Sequence, residues 1–153
     1  MNLEMDLVSA LAHILELIIV FQFFSELFNG KGKKIVAAAV GFVFYAAACA
    51  AYLLFNKTLL NIVFCFVINA VLAKLFFDCK AKGALLGSLF ISVSDTAADF
   101  IVVTVLGIVG GDIKTYRSSV YAYLLMVLLS KSVLFVLTKA AVYAGLYLRD
   151  KRE

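Results

Sequence analysis

Five long apolar runs fill most of the chain and constrain its fold more than any other feature. Each run is roughly 20 residues or longer, which is enough for a helix to cross a hydrocarbon core of about 30 Å. Backbone groups in lipid must hydrogen-bond within their own segment, so such runs fold as helices. We therefore expect an all-α integral membrane protein, a bundle of about five transmembrane helices within one domain, 1–153. The predicted spans are 7–28, 35–55, 59–77, 84–109 and 120–148.

The composition supports lipid as the solvent for this chain. Hydrophobic residues make up 65% of it, whereas soluble domains usually contain roughly 45–50%. Proline is absent, so no span carries an obligatory kink. The net charge of +4 comes from basic residues between the apolar runs, which the positive-inside rule explains better than nucleic-acid binding. The residues outside the spans are too few for a separate catalytic domain.

The basic residues also predict the orientation of the chain in a cell membrane. If five spans alternate in direction, one side carries Lys31, Lys33, Lys34, Lys80, Lys82, Arg149, Lys151 and Arg152. The other side carries Lys57, Lys114 and Arg117. Lys and Arg are enriched in cytoplasmic loops. The count therefore predicts an N-terminus outside the cell and a C-terminus in the cytoplasm.

Two acidic residues lie at the start of the chain. Glu4 and Asp6 precede the first apolar run, whereas a signal peptide begins with a positive segment, so we expect the run to be retained.

The chain contains three cysteines. Cys49, Cys65 and Cys79 form no CxxC pair and no metal spacing. We expect them to be buried packing residues.

Polar groups within the spans are the candidate functional residues, because such groups are costly in lipid. At about 1.5 Å per residue, most of them lie roughly 14–17 Å below the outer ends of their helices, with one roughly 9 Å and another roughly 21 Å deep. Four of the five spans thus place a polar group in one layer near the middle of the membrane. The candidates are His13, Glu16, Asn69, Asp95, Asp99 and Lys131.

The spacing of the charged candidates predicts an ion pair. Asp95 and Asp99 are four residues apart and share one helix face. Either can pair with Lys131 on the next, antiparallel helix. Such a pair can be a clamp that only holds the bundle together, or part of a ligand or ion site. The remaining carboxyl groups need another partner, protonation or water, and an open cavity facing outward would satisfy them most simply.

Other motifs say what the protein is not expected to do. His13 and Glu16 are three residues apart and can touch, but too few suitable ligands accompany them for a metal site. No catalytic or phosphate-binding motif is present, so we expect neither an enzyme nor a bound cofactor. Two pairs of small residues, Ala37/Gly41 and Gly83/Gly87, have the spacing that allows close helix contact.

Several segments resemble the N-terminal membrane sensor region of the GHKL-type sensor histidine kinases, the group that includes quorum-sensing peptide receptors. These segments are ELIIVFQFFSELFNGKGKK, NKTLLNIVFCFVINAVLAKLFF, CKAKGALLGSLFISVSD and LLSKSVLFVLTK. The resemblance covers nearly the whole chain. It implies a bacterial plasma-membrane protein that senses a ligand at its outer face or within the bundle and signals through the long fifth helix.

The sequence also differs from those kinases in one respect. Those kinases continue into a cytoplasmic phosphoacceptor helix and an ATP-binding domain, whereas the sequence here reaches Glu153 without either. His13 lies in the first span and cannot be the phosphoacceptor. We therefore expect a stand-alone or truncated sensor module.

Three functional hypotheses follow from the sequence. The first is a non-enzymatic receptor that binds a peptide or small molecule and dimerises through the end of its last helix. The second is a small proton-coupled transporter or substrate-binding subunit, in which Glu16 is the essential carboxylate by analogy with small multidrug exporters. The third, an intramembrane enzyme using Asp95 and Asp99, is disfavoured because both carboxylates stand on one helix.

Overall fold

The computed structural model describes residues 3–28, 30, 34–55, 58–110 and 119–150, without the side chains of 34, 110 and 148–150. Five helices form in this part of the chain, and all five are long and apolar enough to cross a membrane. The expected all-α fold, with five helices that are each able to span a membrane, is thus confirmed. The helices are α1 (Leu3–Leu27), α2 (Lys34–Phe55), α3 (Thr58–Phe76), α4 (Ala81–Gly110) and α5 (Val120–Asp150).

Three of the helices extend at least two residues beyond the apolar runs that predict them. Helix α1 begins at Leu3 rather than at residue 7, because its first turn carries Glu4 and Asp6, whose charges are favourable at a helix N-terminus. Helix α4 begins at Ala81, and α5 continues to Asp150. Apolar pattern therefore predicts the membrane segment of each helix, whereas the polar residues next to it decide where the helix ends.

The helices form a closed ring in chain order. Each helix packs against the next one along the chain, and α5 returns to pack against α1. Consecutive helices are antiparallel, so a ring with an odd number of members must contain one parallel pair of neighbours. That pair is α1 and α5, as shown by contacts between Ser9 and Tyr123 near their beginnings and between Glu26 and Lys139 further along. The first and last helices of the chain are therefore direct neighbours.

Helix α1 is the most enclosed member of the ring. Of its most apolar 18-residue stretch, 50% is buried inside the bundle, whereas the corresponding share is at most 28% for any other helix. Its side chains Phe23 and Phe24 belong to the largest core cluster, in which they meet residues of α3, α4 and α5. This aromatic core fills the half of the bundle in which α1 ends.

Glycines allow the neighbouring helices to approach α1 closely. A Cβ added at Gly87 would lie 2.8 Å from the ring of Phe24, and one at Gly41 would lie 2.8 Å from the ring of Phe21. A Cβ at Gly83 would lie 3.3 Å from Phe28. Close helix contact at the predicted small-residue pairs is therefore confirmed at these three glycines.

The outer surface of the bundle suits contact with lipid. Large apolar side chains are exposed on every helix, including Ile18, Val43, Val67, Leu86 and Val136. Two exposed hydroxyl groups on this surface are satisfied by their own helices, because Thr96 donates to Ser92 O and Ser132 donates to Leu128 O. Such local bonds remove the cost of a hydroxyl group in hydrocarbon.

The orientation predicted from basic loops stays a prediction. Most of the counted residues lie outside the described part of the chain, namely Lys31, Lys33, Lys57, Lys114, Arg117, Lys151 and Arg152. The side chains of Lys34 and Arg149 are also outside it. Of the larger group, Lys80 and Lys82 are described, and both are exposed where α4 begins.

Replacing Gly87 with alanine should destabilise the bundle by about 1–3 kcal/mol, because the new methyl group would collide with the Phe24 ring in a packed core. Gly145→Ala is the matched control, since a Cβ there meets only the flexible Leu27 side chain at 3.4 Å. The three cysteines are free and buried, so a thiol-reactive dye can report thermal unfolding of both variants. Equal melting temperatures would contradict the packing described here.

Candidate functional site

A polar cavity of about 670 Å³ occupies the half of the bundle in which α1, α3 and α5 begin. Its mouth is marked by residues in the end turns of the helices, Asp6 of α1 and Thr58 of α3. Its deepest charged groups are Glu16 of α1 and Lys131 of α5. The aromatic core around Phe24 closes the bundle below this level. The cavity is therefore a pocket that opens towards one end of the bundle.

Lys131 lies at the floor of this pocket between carboxylates from two other helices. Its Nζ donates to Asp95 Oδ1 at 2.5 Å and lies 3.8 Å from Glu16 Oε2. Lys131 is only 8% exposed and Glu16 only 6% exposed. Buried charges of this kind are stable only when they are paired and hydrogen-bonded. The three groups thus tie α1, α4 and α5 together inside the bundle.

Of the two predicted partners, Asp95 is the one that pairs directly with Lys131. Asp99 lies one turn closer to the mouth of the pocket, where it accepts a hydrogen bond from Ser130 Oγ. Asp99 is exposed and lines the cavity. Helices α4 and α5 are antiparallel, so a residue further along α4 meets a residue that comes earlier in α5. Both aspartates are possible partners of Lys131 in the sequence. In the structure, Asp95 pairs with Lys131 and Asp99 bonds to Ser130.

Tyr45 of α2 connects the floor of the pocket to Asn69 of α3. The Tyr45 hydroxyl lies 3.2 Å from Glu16 Oε1 and 2.6 Å from Asn69 Oδ1. Tyr45 and Asn69 are almost completely buried, at 2% and 0% exposure. Asn69 therefore reaches the ion cluster only through Tyr45. Because tyrosine is common at membrane interfaces, its position in the sequence gives no signal of this central role.

A phenol carries one hydrogen, so Tyr45 donates to only one of these two oxygens at a time. Two arrangements satisfy the chain of bonds. In one, protonated Glu16 donates to Tyr45, which donates to Asn69. In the other, Tyr45 donates to ionised Glu16, and the Asn69 amide turns its NH₂ group to the phenol oxygen. The NH₂ group has no partner among the described residues, so this turn costs no existing bond. The site accommodates Glu16 with or without its proton.

His13 bonds to α3 rather than to Glu16. Its Nδ1 lies 2.8 Å from Ser9 O, and its Nε2 lies 3.3 Å from Asn61 Oδ1. These two contacts occupy both ring nitrogens, so none is left for Glu16. The prediction that His13 and Glu16 can touch stays a prediction, since the hydrogen bonds of His13 go to Ser9 of the preceding turn and to Asn61 of α3.

The interface between α1 and α5 contains a second ion pair that sequence reasoning missed. Lys139 donates to Glu26 Oε1, and Gln22 Nε2 supports the same oxygen at 3.1 Å. A signal for this pair existed in the spacing. Glu26 follows Glu16 by roughly 15 Å of helix, and Lys139 follows Lys131 by roughly 12 Å. On parallel neighbouring helices these positions fall at matching heights, but the sequence does not reveal that α1 and α5 are neighbours.

Metal chemistry finds no support within the described residues. No group of three or more His, Cys, Asp or Glu side chains is arranged to hold an ion there. The cysteines also lie outside any such group, and Cys79 Sγ instead donates to the carbonyl oxygen of Ala73.

Comparisons with family models, curated proteins and solved structures find no match for this chain. The resemblance to sensor kinases consequently stays a prediction from sequence.

A double-mutant cycle on Lys131→Met and Asp95→Asn should give a coupling energy of about 0.5–2 kcal/mol, because the two groups are in direct contact and either change removes the ion pair between them. The same cycle with Asp99→Asn should give a smaller coupling, since Asp99 bonds to Ser130. Unfolding in mixed detergent micelles measures all four free energies. Equal couplings for the two aspartates would contradict the assigned pairing.

Proposed function

We propose that this protein is a membrane receptor module whose ligand enters the pocket and alters the position of α5. The observation that carries this proposal is the placement of Lys131, which belongs to α5 but is held at the pocket floor by Glu16 and Asp95. A ligand that binds these carboxylates must compete with Lys131. The same carboxylates can therefore bind either the ligand or Lys131 of α5, so binding of the ligand competes with the packing of α5.

A two-state receptor requires groups that bind the ligand in one state and hold the helices together in the other. A ligand shifts a conformational equilibrium only when it binds the two states with different affinity. Release of Lys131 would weaken the attachment of α5 to α1 and α4 at the pocket. The second ion pair, Glu26–Lys139, lies on the same α1–α5 interface further towards the end of α5. A shift of α5 would change this pair as well, and would carry the signal to the far end of the bundle.

The remaining parts of the proposal come from the sequence. The count of basic residues favours an orientation with the mouth of the pocket outside the cell and the end of α5 in the cytoplasm. The sensor-kinase resemblance favours a bacterial plasma membrane and a peptide or small-molecule ligand. It also favours a homodimer through the end of α5.

Disulfide cross-linking of an Ala144→Cys variant in membranes tests this dimer directly. A dimer should give a cross-linked species, whereas a monomer would give none.

Coupling between the pocket and the end of α5 can be measured as a distance. Spin labels at Ser25→Cys and Ala144→Cys, in a chain lacking the native cysteines, report the separation of α1 and α5 near their ends. Both positions are exposed. Lys131→Met removes the tie at the pocket floor, so it should shift or broaden this distance by about 1–5 Å, the range of helix shifts in known switches.

Lys82→Met is the matched control, because Lys82 is exposed at the start of α4, away from the pocket lining. It should leave the distance between the labels unchanged. If Lys131→Met gives the same distance distribution as the control, the pocket is not coupled to α5 and the receptor proposal fails.

One observation favours proton-coupled transport as a second candidate function. The hydrogen bonds through Tyr45 accommodate Glu16 in both protonation states, which a proton carrier needs. If this function is correct, liposomes containing the protein should take up ethidium when a pH gradient is applied, and Glu16→Gln should abolish the uptake. A gradient-dependent uptake that survives Glu16→Gln would exclude Glu16 as the carrier.

A further inference from the structure

Three buried polar atoms inside the bundle have no hydrogen-bond partner among the described residues, and all three belong to α3 or α4. They are Asn69 Nδ2, Ser88 Oγ and Ser92 Oγ. Asn69 and Ser88 are each 0% exposed, so water outside the bundle cannot satisfy them. A buried polar atom without a partner costs roughly 1–3 kcal/mol, and in folded proteins such atoms are usually paired with protein groups or with an internal water molecule.

Asn69 and Ser88 lie at the same height on neighbouring helices. Helices α3 and α4 pack against each other and run antiparallel, and Ala73 and Ala84 belong to one core cluster. Asn69 comes four residues before Ala73, and Ser88 comes four residues after Ala84. Both therefore lie one turn, roughly 6 Å, closer to the pocket than these alanines and on nearly the same helix faces.

Ser92 adds a third hydrogen-bonding group one turn further along α4. It lines a lateral groove together with Phe66 of α3, and Phe66 lies about one turn from Asn69, which agrees with this register. Thr96 of the same helix donates its hydroxyl hydrogen to the carbonyl oxygen of Ser92. Ser88 and Ser92 make no such bond, so their hydroxyl groups are available to a molecule held between the helices.

We propose that Asn69 and Ser88 bind an internal water molecule, which continues the hydrogen-bond chain that starts at Glu16. A buried water typically makes about three hydrogen bonds to groups that otherwise have no partner. Asn69 Nδ2 can donate to it, Ser88 Oγ can donate or accept, and Ser92 supplies a further hydroxyl group on the next turn. The site goes beyond the receptor proposal, because Asn69 and Ser88 lie outside the pocket lining.

A water molecule at this place satisfies Asn69 in both arrangements of the chain. When protonated Glu16 donates to Tyr45 and Tyr45 donates to Asn69, the amide NH₂ group donates to the water. When Glu16 is ionised, the amide turns its NH₂ group to Tyr45, and its oxygen then accepts from the water. A protein carbonyl or N–H group could serve only one of these arrangements, whereas water and a serine hydroxyl group each donate or accept. The water therefore allows the buried amide to turn without losing a bond.

Contact between Asn69 and water can be observed directly by NMR on ¹⁵N-labelled protein in lipid nanodiscs. The side-chain NH₂ group of Asn69, assigned by its loss in Asn69→Leu, should give a cross-peak with water. Opposite signs in NOE and ROE spectra distinguish dipolar contact from proton exchange. Asn61 lines the pocket and is the positive control. The backbone amide of Val20, 1% exposed within the aromatic core, should give no such cross-peak.

Ser88→Ala tests whether Ser88 holds the water. The cross-peak of Asn69 should fall at least about twofold, because the water loses one of its few polar partners. Ser132→Ala is the matched control, since it removes an exposed hydroxyl group that bonds to its own helix, and it should leave the cross-peak unchanged. A retained Asn61 signal shows that the bundle is intact in each variant.

The measurement on the unaltered protein does not depend on the folding of any variant. An Asn69 side chain without a dipolar cross-peak to water would overturn the proposal, and so would a cross-peak that Ser88→Ala does not reduce.

The outcomes also separate this inference from the receptor proposal. If Asn69 contacts water while Lys131→Met leaves the distance between the spin labels unchanged, the water site stands and the receptor proposal fails. If Lys131→Met moves α5 while Asn69 shows no contact with water, the receptor survives and the water site is wrong.

Discussion

The ammonium group of Lys131 is the constraint on which the interior of this bundle depends. A lysine in the middle of an apolar helix is expensive unless carboxylates surround it. Asp95 and Glu16 meet this need from two different helices, and this fixes how α4 and α1 are rotated relative to α5. The polar pocket lies directly above this pair, and Lys131 and Glu16 form its floor. A structural requirement and a candidate binding site thus have one origin.

The two halves of the bundle are filled by different kinds of side chain. One half of the bundle is filled by aromatic side chains such as Phe23 and Phe24, and glycines of α2 and α4 let the helices approach these rings. The other half contains the pocket, with polar contacts along its walls. The first half is closely packed, while the polar half has contacts that a ligand can exchange. A conformational response that begins at the pocket is consistent with this division.

The two candidate functions use the same groups in different ways. A receptor needs Lys131 to leave its partners when the ligand binds, whereas a transporter needs Glu16 to exchange a proton. The bonds through Tyr45 permit the second, and the position of Lys131 on α5 supports the first. The receptor proposal is favoured because α5 is held by a second ion pair beyond the pocket, which gives a movement of this helix a route to the end of the bundle.

The sequence by itself determined the five apolar helices and the positions of the polar residues along them, because length, hydropathy and the helical rise are local properties. It also predicted that Asp95 or Asp99 pairs with Lys131, from spacing alone. Only the tertiary structure decided that Asp95 is the partner, that Tyr45 joins Glu16 to Asn69, and that Glu26 meets Lys139. Those contacts depend on the rotation of each helix and on the closure of α5 against α1. Neither is encoded in any single segment, since both result from the packing of all five helices together.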